Sequence, residues 1–498
     1  MTAQKTEALR HAPTGILTDN VFRRSSNGSE FAVHDPATGE VVAMMADGSV
    51  EDAIAAVQSA SSAQRRWAAT PASDRADILR RAYELIIERR EDLAMLMTLE
   101  MGKPLAESEA EVVYGAQYLR WFSEEAVRFS GRIMASPAGD SQIITIQQPV
   151  GPCLLVTPWN FPLAMGTRKI GPALAAGCTV IVKPAELTPL SMNALAAILI
   201  EAGLPEGVLS VLPTTSSPAV VSAIMADSRM RKISFTGSTE VGKMLIRQSA
   251  DNVLRVSMEL GGNAPFIVCS SADVSHAVDE AMKAKLRNNG EACTAANVLY
   301  VHADVTEQFS SELALRFDSL VVGPGYDPDT TVGPIIDQRA VEKLGDLLQD
   351  ALRLGARVLS QRPIPVDTTG TYFPPTLLTD VPREARVVKE EIFGPIAPIV
   401  VWHDAEDLVR DINANEVGLA AYLFTRDLDE MRVLTDRLEV GMIGINRGVL
   451  SNVAAPFGGV KQSGYGREGS SLGIDEYLEV KYVAISDARS HAAHPPPR

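Results

Sequence analysis

From residue 150 onward short apolar runs alternate with helical stretches, and this alternation restricts the fold more than any other feature of the chain. VGPCLLVTPW is an apolar strand bounded by Gly and Pro, LAMGTRKIGPALAAG a helix, TVIVKP a strand, LSMNALAAILIEAG a helix, and GVLSVLP and KISFTGS are strands. Strands that are apolar throughout, spaced by helices, mark βαβ units and a parallel sheet buried on both faces. The alternation restarts after residue 262 with NAPFIVC, a helix around 273–289 and NVLYVHADV, which predicts a second α/β domain. A chain of 498 residues exceeds what one core accommodates, so at least two domains are expected. Upstream, residues 51–69, the stretch DRADILRRAYELIIERREDLAMLMTLEMG and ESEAEVVYGAQYLRWFSEEAVRF read as helices, the second stopping at Gly-Lys-Pro. SQIITIQQPVG alternates like a strand.

Charge and cysteine usage exclude several classes. Lys+Arg 46 against Asp+Glu 62 leaves a net charge of -16, which argues against nucleic acid and gives no attraction to anionic membranes. No two of Cys153, Cys178, Cys269 and Cys293 have C-x-x-C spacing, so neither a zinc site nor a disulfide framework is expected and no metal is assigned. A reducing cytoplasm is the expected compartment. The first residues lack the apolar stretch of a signal peptide, and no run reaches the roughly 18 apolar residues needed to span a bilayer. The polar, Pro-rich tail 491–498 is expected to be flexible.

Several short segments can carry chemistry. NNGEACTAAN sets Cys293 among polar and small residues, whereas the other three cysteines sit in apolar runs and read as packing groups. A polar-site thiol is a candidate nucleophile. KISFTGSTEVGKM runs strand, Gly-rich turn, helix, and such a turn offers backbone N–H groups to a phosphate. Met244 stands where a triphosphatase loop needs Ser or Thr, and a plain turn is an equal alternative. Glu259 before Gly261 and Gly262 is a candidate mobile base, or a solvated strand-end carboxylate. Asn160, between Trp159 and Phe161, can donate to an oxyanion or serve turn geometry. Lys183 and Glu186 close a buried strand where α/β folds present ligands, and KEEIFGP offers Glu391 and Phe393.

TPWNFP, VKPAE, FTGSTEVG, MELGGNAP, NGEACTAAN, EEIFGP and APFGGVKQSGYGREG occur in that order between residues 157 and 470. Together they resemble the aldehyde dehydrogenase superfamily. The resemblance implies a Rossmann-like NAD(P)-binding domain (1–127 and 148–261), an α/β catalytic domain (262–455) and a small β oligomerisation element (128–147 and 470–490). It implies Cys293 as thiol nucleophile, Asn160 as oxyanion donor alongside the Cys293 N–H, and Glu259 as the base that activates the deacylating water. It implies cofactor contacts from Thr157, Pro158, Trp159, Lys183, Glu186, Gly237, Ser238, Glu391 and Phe393. The implied reaction is thiohemiacetal formation, hydride transfer to the nicotinamide and hydrolysis of a thioester. A cysteine hydrolase, the alternative of another class, needs a His base, and no His falls in a matching motif.

Within the superfamily TRKIGPALAAG, KAKLRNNGEAC, LSNVAAPFGG and GREGSSLGIDEYLEVKYV are similar to succinate-semialdehyde dehydrogenases. That likeness implies Arg168, Arg287 and Ser451 as the clamp for a distal carboxylate, a task suited to the guanidinium fork. Ala295 stands where some relatives carry a second cysteine, so a disulfide switch at the nucleophile is not expected. Arg447 is expected to add positive charge beside the pocket and admit a longer substrate such as glutarate semialdehyde. The 213–221 loop lacks a Gly pair common in the wider family. Glu186 favours NAD, with NADP possible, because a carboxylate repels a 2′-phosphate. A homo-oligomer, dimer or tetramer, is expected through a hairpin around 128–147 and the strand EYLEVKYVAI.

Overall fold

Leu209–Val211, Val180–Lys183, Cys153–Val156, Lys232–Thr236 and Arg255–Glu259 lie side by side in that order, all parallel. The middle three are buried at every residue, as their unbroken apolar sequences require. Short antiparallel strands close the edges: Ile16–Thr18 and Val21–Arg23 on one side, Gly464–Tyr465 on the other. The computed structural model describes residues 3–10, 12–364 and 369–486, so the 491–498 tail lies outside the described residues.

Chain order runs outward one way from Cys153–Val156 through Val180–Lys183 to Leu209–Val211, then returns to Lys232–Thr236 on its other flank. The reversal creates a crevice at the carboxyl ends of these strands, where ligands bind in Rossmann-like sheets. Helices cover the faces. A Ser49–Asp52 capping box starts the helix Val50–Ala69. Ala164–Ala176 is buried along its whole length and packs against Leu105–Glu125. The long helix expected up to Gly-Lys-Pro is broken at Arg89 into Ala72–Glu88 and Arg90–Met101, and it ends at Gly102 with φ 93°. The apolar pattern runs through the break because both pieces bury residues in the same core.

A second sheet has the order Arg357–Gln361, Thr376–Thr379, Ile396–Trp402, Val298–His302, Pro265–Val268, Ala420–Phe424, Met442–Ile445. All its pairs are parallel except the first. Leu260–Ala264 links the carboxyl end of Arg255–Glu259 directly to the amino end of Pro265–Val268. The carboxyl edge of the first sheet therefore faces the amino edge of the second. Val460–Lys461 still pairs with Val417–Gly418 of the second half, and the chain then returns to the first sheet, where Gly464 pairs with Glu259. A third, antiparallel sheet joins Arg132–Ala135, Ser141–Pro149 and Leu478–Ser486, and leaves Ile133, Met134, Val480 and Tyr482 exposed. Among the described residues no helix is long and apolar enough to cross a membrane.

Candidate active site

Between the facing edges lies a cavity of about 290 Å³. Pro158, Trp159 and Asn160 reach it from the turn after Cys153–Val156, and Gly237 and Ser238 from the turn after Lys232–Thr236. Glu259 ends its strand there, Cys293 enters from the loop before Val298–His302, and Glu391 and Phe393 enter from the segment before Ile396–Trp402. A larger cavity, about 480 Å³, lies in the second half beside Asn263 and Tyr300 and contains none of the predicted site residues.

One wall has the features of a dinucleotide cradle. Ser238 caps the helix Thr239–Ser249, and the Gly237 N–H donates to the Glu259 carbonyl at 3.0 Å. The rings of Trp159 and Phe393 meet edge to face at 5.5 Å, with Phe393 in the left-handed region at φ 56°. Such backbone costs of order 1–3 kcal/mol and concentrates at functional sites. Glu391 accepts the Gly262 N–H at 3.2 Å, and burial pushes its carboxyl up to about 7. A Cβ at Gly261 would stand 2.9 Å from Glu391 Oε2, so glycine keeps that oxygen clear. The Thr157 and Thr236 hydroxyls at the sheet's carboxyl edge are buried without a partner, so this wall fits a polar ligand. Lys183, buried, pairs with the more exposed Glu186 at 3.2 Å, and burial lowers its ammonium. Pro213 and Thr214 of the loop without the Gly pair bind the backbone of Gly48.

Cys293 is half-buried, and burial pushes its thiol up to about 12, against the opposing pull of Arg168 and Arg287. Asn160 Nδ2 donates to the Glu291 carbonyl at 3.0 Å, two residues before the thiol. Its Oδ1 accepts the Phe161 N–H at 3.1 Å. One of the two amide protons therefore stays free for the cavity. Asn288 and Asn289 precede the loop, both with φ 56°, and their amides tie it down at Asn160 O, Glu291 O and Pro334 O.

Glu259 has a different setting. Its Oε2 is buried with no partner, and burial raises its carboxyl well above the usual range. Glu468 adds to that rise, while Arg168, Lys169 and Arg467 oppose it. Glu468 itself forms buried ion pairs with Arg168 and with Lys169, the latter at 2.5 Å. Burial alone would raise Glu468, but the two cations outweigh it and hold its carboxyl low.

The two predicted clamp arginines are not equivalent. Arg287 is half-buried over the Phe161 ring at 5.0 Å and donates to Ser451 Oγ at 3.2 Å. A small cavity beside it is lined by Ala295, Val449 and Leu450. Arg168 is wholly buried, engaged by Glu468, and stacked 4.2 Å over the Phe457 ring. Its Nη2 is bonded at 3.0 Å to the sulfur of Met165, a residue lining the main cavity. Arg447 is exposed, immediately before the segment that lines the small cavity.

Sequence reading passed over Lys169, Glu468, Lys103, Glu111, Asn288 and Glu291. Lys103 reads as part of a helix stop and Glu468 as part of a motif without a role. The available signal is a charged residue inside an otherwise apolar helix face, as at Lys169.

The Aldehyde dehydrogenase family model matches residues 22–483. A succinate-semialdehyde dehydrogenase of Paenarthrobacter nicotinovorans is 51% identical over 90% of this chain and 99% of that protein. A glutarate-semialdehyde dehydrogenase of Pseudomonas putida is 46% identical over 93% of this chain and 95% of that protein. The crystal structure of an E. coli NADP dependent enzyme superposes with a TM-score of 0.94 at 44% identity, covering 96% of this chain and 99% of that one.

Proposed function

The chain belongs to the aldehyde dehydrogenase family, and from that premise we propose that it oxidises an aldehyde bearing a distal carboxylate, succinate semialdehyde first. The observation that carries the choice is the Arg287–Ser451 pair, with Arg287 lining a small cavity against Ala292, Thr294 and Ala295 of the Cys293 loop. A guanidinium half-buried against a ring, with a hydroxyl beside it, suits a carboxylate. Glutarate semialdehyde is the second reading, favoured by the relative of that name.

Cys293 gives its proton to solvent water and its sulfur bonds to the aldehyde carbon, driving the carbonyl electron pair onto oxygen. That oxyanion accepts from the Cys293 N–H and from the second proton of Asn160 Nδ2, while the first stays on Glu291 O. When bound, NAD(P)+ supplies the hydride acceptor. Thr157, Pro158, Trp159, Gly237, Ser238, Glu391 and Phe393 would hold it, with Lys183 and Glu186 at the adenosine end. Glu259 then takes a proton from water, whose oxygen attacks the thioester carbon, and the thiolate leaves with the pair of the C–S bond.

The family uses NAD(P), and the sequence expectation of NAD over NADP is not supported by the relatives, among them an E. coli NADP dependent enzyme. The Lys183–Glu186 pair gives a reason: an ammonium at 3.2 Å offsets the repulsion on which that expectation rested. We also read the exposed apolar residues of the third sheet as a subunit interface, and the free thiols as fitting a reducing cytoplasm.

The test is kcat/KM for butanal, succinate semialdehyde and glutarate semialdehyde, followed at 340 nm with NAD+ and with NADP+. The C4 acid aldehyde is expected to lead. Butanal matching it would overturn the carboxylate reading, and glutarate semialdehyde leading would replace the first substrate with the second.

A further inference from the structure

Lys103 follows the Gly102 that ends Arg90–Met101, and its side chain is wholly buried. A buried ammonium persists only with close partners. Here it donates to Glu111 Oε2 at 2.5 Å and to the backbone carbonyl of Asn160 at 2.7 Å. Its nitrogen lies 4.3 Å from the centroid of the Phe161 ring. Glu111 extends the grip, because its Oε1 accepts the N–H groups of Leu163 and Ala164, both at 3.1 Å. One ion pair thus holds the turn 160–164 at both ends. The Asn160 carbonyl also accepts Asn288 Nδ2 at 3.0 Å, and the same amide donates to Glu291 O at 2.9 Å. Glu291 O is the acceptor on which the Asn160 side chain rests.

We propose that Lys103 is a positioning residue of the oxyanion site, fixing the main chain of Asn160 so that its side-chain amide stays aimed between the Glu291 carbonyl and the reacting oxygen. It touches neither substrate nor dinucleotide and acts through Asn160. The inference rests on Asn160 being the oxyanion donor. Misplacing a catalytic group by about 1 Å costs on the order of a hundred-fold in rate, so Lys103 matters for kcat rather than for binding.

The experiment is a double-mutant cycle of Lys103→Met and Asn160→Ala. Lys103→Met is expected to lower kcat by roughly ten- to a hundred-fold, short of the hundred- to thousand-fold for losing a donor outright. The single-turnover rate of dinucleotide reduction falls by the same factor, and a deuterium isotope effect from the aldehyde C–H appears on kcat. Dinucleotide binding by fluorescence and the rate of Cys293 alkylation stay near wild type. In the Asn160→Ala background the same change is expected to cost little further. Equal costs in both backgrounds, or unchanged kcat in folded Lys103→Met, overturn the proposal. If Lys103→Met does not fold, the charge-free pair Lys103→Met with Glu111→Leu takes its place in the cycle. Failure of that pair to fold in either background assigns Lys103 to folding and also overturns it. Wild-type kcat in Asn160→Ala alone would instead remove the oxyanion reading beneath.

Discussion

The two walls that meet at Cys293 are built on opposite terms. On the oxyanion wall polar groups close on one another: Lys103, Asn160, Asn288 and the carbonyl of Glu291 are joined by bonds of 2.7–3.0 Å. On the wall of the proposed base the Glu259 Oε2 is buried with no partner, and its pKa is pulled by groups of both signs. An oxyanion donor works by standing still where charge develops, so every bond that fixes it helps. A base must take a proton, so its carboxylate cannot be satisfied in advance. A donor held by its neighbours and a carboxylate oxygen engaged by none share one cavity of about 290 Å³.

The largest expected effects separate these walls by where the reaction stalls. Glu259→Gln removes the base, and kcat is expected to fall by about 10²–10⁴-fold. Acylation survives, so rapid mixing shows a burst followed by stalled turnover. Asn160→Ala is expected to cost about 10²–10³-fold with no burst, since the oxyanion forms before the acyl-enzyme. A burst in Asn160→Ala, or none in Glu259→Gln, breaks the comparison. The pH profile adds a sign. Burial raises Glu259, so it is protonated and idle at low pH, and kcat climbs as pH rises through its displaced pKa. Stability runs the other way: because the folded pKa lies above the unfolded one, its contribution is full below the unfolded value and is lost as pH rises through the folded one. Glu259→Gln should flatten both limbs.

Next in size is the contrast between the arginines. Arg287→Ala leaves a substrate carboxylate without a charge-assisted partner, worth about 1.5–3 kcal/mol, roughly ten- to a hundred-fold in kcat/KM. Butanal should lose little. Arg168→Ala should damage both aldehydes more evenly, because its Glu468 pair sits beside Glu259. Equal selectivity loss in the two variants would restore the symmetric clamp that the sequence suggests.

A similar size is expected at Glu391, which burial pushes up to about 7. Below that pH the carboxyl is neutral and is a weaker acceptor for ribose hydroxyls. Dinucleotide affinity, read by fluorescence quenching, should therefore weaken as pH falls through about 7, by about tenfold or more. Glu391→Gln should bind weakly at every pH. A wild-type affinity independent of pH would show that the carboxylate is not used.

The sheets and the groups at strand ends were legible because both follow from local pattern. Apolar runs fix which strands are central, and chain order fixes the crevice that receives Asn160, Gly237 and Glu259. The supporting network was not legible, because its bonds join residues far apart in sequence. Lys103 meets Asn160 across 57 positions and Lys169 meets Glu468 across 299. Nothing near Arg168 announces Glu468, so a residue that resembles a substrate anchor turns out to be engaged by a buried carboxylate. The break at Arg89 escaped for the reverse reason: its local pattern is continuous on both sides.

The smallest expected effect lies at the proposed adenosine contact, in one ion pair outside the main cavity's lining. Lys183 is buried, Glu186 has a 42% exposed side chain, and 3.2 Å separates them. Removing an exposed charge is worth about 0.2–1 kcal/mol, so Glu186→Gln should raise the kcat/KM ratio of NADP+ over NAD+ by a few-fold at most. Lys183→Met frees the carboxylate from its ammonium and should push the ratio the other way. The double variant then decides which partner governs. If it behaves like Glu186→Gln, the carboxylate sets the preference and the lysine only masks it. If it behaves like Lys183→Met, the ammonium is itself the phosphate contact, and Glu186 is no more than its tether.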